Sequence, residues 1–126
     1  MNKLAALTAA ALALSFAPAY ADGDAAAGEN VFKKCKACHM VGDGAKNRVG
    51  PQLNGIIDNE IASVEDFRYS KPFLALKEEG FVWDVENLST YLENPKKMIK
   101  GTKMAFAGLK KEEDRADVIA YLATFE

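Results

Sequence analysis

The sequence holds one histidine, one tryptophan and two cysteines in 126 residues. With His39 as the single histidine, no second one is present for acid–base work. No P-loop or dinucleotide fingerprint occurs either. A basic excess is also missing: the net charge is −2, which argues against a nucleic-acid protein. Strand signals are weak throughout, and no strand–helix alternation appears. No repeat, linker or second compositional zone divides the chain. Its longest apolar run, Leu4 to Phe16, falls short of the ~20 residues a spanning helix needs.

That run has a different reading. Lys3 precedes it, Pro18 follows it, and Ala19-Tyr20-Ala21 sets small residues where a signal peptidase reads them. The pattern predicts a cleaved signal peptide over residues 1–21 and an exported, periplasmic product without a membrane anchor. Removing 21 of 126 residues leaves Asp22–Glu126, 105 residues, and losing Lys3 takes the charge from −2 to −3. A chain of that size is expected to be one domain, residues 22–126.

The two cysteines lie in Cys35-Lys36-Ala37-Cys38-His39. C-x-x-C-H is the attachment signature of c-type haem. Each thiol adds to one vinyl group, and two intervening residues let both sulfurs reach from one helical turn. His39 then supplies an axial imidazole. Export also permits a disulfide, but a thioredoxin-like motif would sit in a βαβ unit. A zinc site wants four ligands, and the chain offers no fourth Cys or His. One histidine excludes bis-histidine ligation within one chain. Of the four methionines, Met1 leaves with the signal and Met40 is adjacent to His39. Met98 reads as core filler, which leaves Met104, in the glycine-bounded loop Gly101–Gly108, as the methionine candidate for a sixth position that Lys, Tyr, water or nothing could also fill.

The rest reads as helices and long loops. A helix is expected from Asp22 to Lys34, capped by Asp22 or Asp24. Met40 to about Asn59 reads as irregular loop. Ser70-Lys71-Pro72 opens a short helix that Gly80 closes. Asp84 caps another, with Val85, Leu88, Tyr91 and Leu92 at helical spacing, which ends before Pro95. The last runs from about Lys111 to Thr124, burying Val118, Tyr121, Leu122 and Phe125. This is an all-α domain of four to five helices, whose loops need an internal organiser.

These blocks together resemble a class I cytochrome c, close to mitochondrial cytochrome c and bacterial cytochromes c2. The likeness rests on Cys35-x-x-Cys38-His39, Val49-Gly50-Pro51-x-Leu53, Phe67-x-Tyr69, Trp83, Tyr91-Leu92-Glu93-Asn94-Pro95-Lys96-Lys97, Gly101-Thr102-Lys103-Met104 and Ile119-Ala120-Tyr121-Leu122. It implies one covalent haem c whose iron takes His39 and Met104 as axial ligands. His39 would donate its Nδ1–H to the Pro51 carbonyl, which raises ligand basicity. Tyr69 and Trp83 would bond a haem propionate, Tyr91 would lie near the Met104 sulfur, and Thr102 would bond the inner propionate. Phe106 would cover the haem edge, and Gly28, Phe32 and Tyr121 would join the first and last helices. Lys100 replaces a common Pro, Asn47 stands where some relatives have a loop-bracing His, and the family's Arg near the propionates is missing from Asp58-Asn59-Glu60.

The resemblance implies a one-electron carrier rather than an enzyme, expected to be a monomer. Lys34, Lys36, Lys46 and Arg48 flank the attachment site, and Lys96, Lys97, Lys100, Lys103, Lys110 and Lys111 bracket Met104. Lys34, Lys96, Lys97, Lys103, Lys110 and Lys111 are the candidate docking residues for an acidic partner. The implied partners are a quinol-oxidising cytochrome bc complex and a terminal acceptor, either a cytochrome c oxidase or a photosynthetic reaction centre. A donor to a periplasmic reductase or peroxidase would share this pattern, whereas a haem sensor would need an open sixth position.

Overall fold

A computed structural model describes residues 22–126 together with Ala10; the expected signal peptide lies outside the described stretch. Five helices follow one another: α1 (Ala25–Phe32), α2 (Lys71–Glu78), α3 (Val85–Glu93), α4 (Pro95–Met98) and α5 (Glu112–Leu122). No strand forms among the described residues. A single antiparallel bridge pairs Glu60 with Val82. Backbone bonds beside it, Asp58 to Trp83 and Ile61 to Phe81, tie the long loop to the approach of α3.

Local chemistry sets the helix starts. Asp24, rather than Asp22, caps α1 by accepting from the Ala26 and Ala27 amides. Ser70 caps α2, with Pro72 in its first turn. Gly80 follows the end of α2 at φ +78°, closing it as expected. Asp84 caps α3 through the Asn87 amide at 2.7 Å. The first turn of α5 carries Glu112, Glu113 and Asp114, charges that suit the positive end of its dipole.

Several boundaries differ from the sequence reading, with α1 starting at Ala25 and α5 ending at Leu122. Pro95 does more than end α3, because it opens α4 at N1 with Asn94 as cap. A proline lacks an N–H that this position would leave unpaired anyway. The first helix also stops at Phe32, and residues 33–38 continue as turns.

The most extensive helix contact joins α1 to α5. Gly28 is buried there. The Phe32 and Tyr121 rings meet at 5.4 Å, the contact the family resemblance implied. Asp117, only 8% exposed, accepts from the Asp24 amide at 2.8 Å. Val118 and Leu122 are buried as expected, together with Ile119 and Ala120, while Tyr121 and Phe125 are half-buried. Phe32, Trp83, Leu88, Val118 and Leu122 belong to one core cluster and also line the cavity described next.

Candidate haem-binding site

The turn after α1 brings the attachment motif together. The amides of Lys36 and His39 bond the carbonyls of Phe32 and Cys35, both four residues back. This helical winding sets Cys35, Cys38 and His39 on one turn. Both thiols are free. Burial, reinforced by nearby Cys38 and opposed by Lys34, pushes the Cys35 pKa up to about 11, so it rests as a neutral thiol.

His39 is fixed by the loop that follows. Its Nδ1 lies 2.7 Å from the Pro51 carbonyl. A carbonyl only accepts, so Nδ1 carries the proton. Burial lowers the His39 pKa, partly offset by that bond. A neutral ring protonated at Nδ1 keeps its lone pair on Nε2, the atom that can bind a metal. Gly50 packs against the ring face, where a Cβ would lie 2.8 Å from Nδ1. Side-chain amides hold this loop in shape. Asn54 bonds both the N–H and the C=O of Gly42, and Asn47 joins the Gln52 amide to the Glu65 carbonyl. Asn47 thus braces the loop.

All nine predicted cofactor residues line a single cavity of about 260 Å³: Cys35, Cys38, His39, Pro51, Tyr69, Trp83, Tyr91, Thr102 and Met104. Phe106 joins them. Met98 packs against the core cluster and does not line the cavity, in keeping with its reading as filler. Of the proposed docking residues, Lys34 and Lys103 stand at the cavity lining, whereas Lys96, Lys97, Lys110 and Lys111 are exposed away from it. Lys103 and Lys110 also donate to backbone carbonyls, of Arg68 and of Glu93 and Ala107.

The hydroxyls show arrangements the sequence did not give. Tyr69 accepts from the Val64 amide at 3.1 Å, which leaves its own proton to donate. Tyr91 and Thr102, assigned separate tasks above, pair their hydroxyls at 2.6 Å. Burial raises both tyrosine pKa values, so both phenols stay protonated. Trp83 is buried, its ring 5.0 Å from that of Tyr91. Sequence reasoning also missed the polar lining residues Asn59, Ser63 and Ser70. Serine and asparagine in a loop carry no signal of which way they face.

These residues fit a covalent haem. Two thiols and one imidazole share a turn, a thioether shares their cavity, and the remaining wall is largely apolar with several neutral hydrogen-bonding groups. The comparisons agree. The Cytochrome c family model matches residues 25–126. Cytochrome c-554 of Methylosinus trichosporium is 49% identical, covering 99% of this chain and 95% of its own. Cytochrome c2 of Rhodomicrobium vannielii is 52% identical over 94% of this chain and 92% of its own. The solved structure of cytochrome c2 from Rhodospirillum centenum superimposes with a TM-score of 0.78 at 43% identity, covering 82% of this chain and 98% of that one. From the C-x-x-C-H turn to the last helix, then, this chain belongs to the cytochrome c family, whose cofactor is a covalently held haem c with its iron.

Proposed function

We propose that this protein is a one-electron carrier with His39 and Met104 as axial ligands. The supporting observation is that both side chains line one cavity, with the His39 ring already fixed by Pro51. Haem c supplies the ferric–ferrous couple. The chain's own residues do the rest. Cys35 and Cys38 tether the group, and His39 presents Nε2. Met104 would supply its thioether as the sixth ligand and so keep other ligands out. The apolar wall excludes water, Tyr69 and Trp83 would offer protons to a haem carboxylate, and Tyr91 and Thr102, bonded to each other, would serve the Met104 sulfur and the inner carboxylate.

Residues 1–21 are removed on export in this reading, and residues 22–126 act in the periplasm as a monomer. Among the described residues no helix is long and apolar enough to cross a membrane. Electrons pass from a quinol-oxidising cytochrome bc complex to a cytochrome c oxidase or a photosynthetic reaction centre. Lys34, Lys96, Lys97, Lys103, Lys110 and Lys111, all exposed, meet the acidic surface of either partner.

The deciding experiment exposes the reduced mature protein to carbon monoxide at neutral pH. An unchanged absorbance spectrum is expected, because Met104 holds the site. A rapid change to a carbonyl spectrum would defeat the carrier reading and point to a ligand-binding haem protein. The docking lysines add a second expectation. Electron delivery should slow at least several-fold as ionic strength rises toward ~0.15 M, where the Debye length is about 8 Å. A rate indifferent to salt would remove the steering argument.

A further inference from the structure

The geometry points to Arg115 as the residue that holds Met104 in place, acting through the loop that carries it. This inference rests on Met104 being the sixth ligand. Residues 103–108 make no backbone–backbone hydrogen bond among the described residues. The segment therefore depends on what grips its two ends.

The first end is held by the Thr102 amide on the Ile99 carbonyl, the Thr102 hydroxyl on Tyr91 and the Lys103 ammonium on the Arg68 carbonyl. The second end is gripped harder. The Leu109 amide bonds the Leu92 carbonyl at 2.7 Å. Gly108 stands at φ +113° with its α-carbon against the Glu93 carbonyl, where a side chain would collide. Lys110 places its ammonium on that same carbonyl at 2.9 Å and on Ala107 at 3.3 Å. The Leu92 and Glu93 carbonyls end α3, where a cation is favoured.

Arg115 closes the arrangement from the other side. Its Nη1 donates to the carbonyls of Leu109 and Lys110 at 2.9 and 3.1 Å, and its Nε donates to Ser89 Oγ at 3.1 Å. One half-buried guanidinium thus binds α3, the root of the Met104 loop and α5 together. The planar fork suits three acceptors on two elements in a way an ammonium cannot. α5 lacks a side-chain cap at Lys111, so Arg115 also fixes how the loop enters the helix. No activity is assigned to Arg115. It is a positioning residue, and its effect must appear at the iron.

The test compares holoprotein of wild type, Arg115→Met, Arg115→Lys and, as a control in α5 away from the loop, Ile119→Val. Ile119 is 1% exposed, so its truncation lowers stability without touching the clamp. Three readouts are followed: carbon monoxide uptake by the reduced protein, the pH at which the ferric protein loses its thioether-to-iron absorbance, and the denaturation midpoint. Charge-assisted hydrogen bonds of the kind lost here correspond to a roughly 10- to 100-fold change in population. Arg115→Met should take up carbon monoxide about that much faster than wild type and lose the thioether band at lower pH. Arg115→Lys should recover part of both, and Ile119→Val neither. If Arg115→Met stays as closed as wild type, or Ile119→Val opens equally, the inference fails while the reading of Met104 stands. A wild type that is itself open overturns that reading and this inference with it.

Discussion

Gly28→Ala is expected to destabilise the protein by about 1–3 kcal/mol, the usual cost of overpacking a tight core. In an open helix the same change would help by up to ~1 kcal/mol, since alanine loses less backbone freedom than glycine. The sign therefore reports on the crossing of α1 and α5. A Cβ on Gly28 would overlap the backbone carbonyl of Asp117 and stand 2.8 Å from the Tyr121 Cβ. Neither neighbour is the free end of a flexible side chain. Relief would require the helices to part, and the packing of Phe32 on Tyr121 would go with them. Denaturant unfolding of the holoprotein checks this through the midpoint at constant slope. A variant as stable as the parent, or more so, would show that the helices do not approach this closely.

The second large effect concerns the tether. With Cys35→Ser and Cys38→Ser combined, no pigment should remain with the polypeptide after denaturation and solvent extraction. Loss of the cofactor also leaves the cavity without its filling. At ~24 cal/mol per Å³ of cavity, about 260 Å³ corresponds to roughly 6 kcal/mol. That is comparable to the whole stability of a small domain, ~5–15 kcal/mol. The double variant should therefore lose most of its helical circular dichroism as well as its colour. Each single-serine variant keeps one thioether and should remain partly coloured. Covalent pigment in the double variant would refute the assignment of the two thiols. Unchanged helicity would refute the structural role given to the cofactor.

How much of this was legible in the sequence depended on the range of the interaction. Asp84, Ser70 and Asp24 could be read because a cap satisfies amides two or three residues away. The attachment turn could be read because its spacing is its chemistry. Pro95 was read in one direction only. It signals an ending to the residue before it and an opening to the residues after it, and α4 is too short to show its own periodicity. Asp117 and Arg115 were not singled out. Their partners lie 93 residues away at Asp24 and 26 away at Ser89, and in sequence both look like ordinary charges on a solvated helix. The loop bonds of Asn54, and the partners of Asn47, escaped for a similar reason. Composition marks a loop as polar but does not say which backbone groups its amides will close upon. The resemblance supplied Pro51 for His39, a link of 12 residues that spacing alone would not have found.

The paired hydroxyls of Tyr91 and Thr102 carry one more consequence. At 2.6 Å, with either oxygen able to donate, one of their two protons is spent between them. Together they have a single proton to give away, and reversing the internal bond changes which oxygen gives it. With the tasks proposed for them, that proton can serve the thioether of Met104 or a haem carboxylate, but not both at once. The pair is a two-position relay whose setting is chosen by whichever acceptor pulls harder. Removing either hydroxyl takes away the choice, and the oxygen left behind keeps its proton for one side alone.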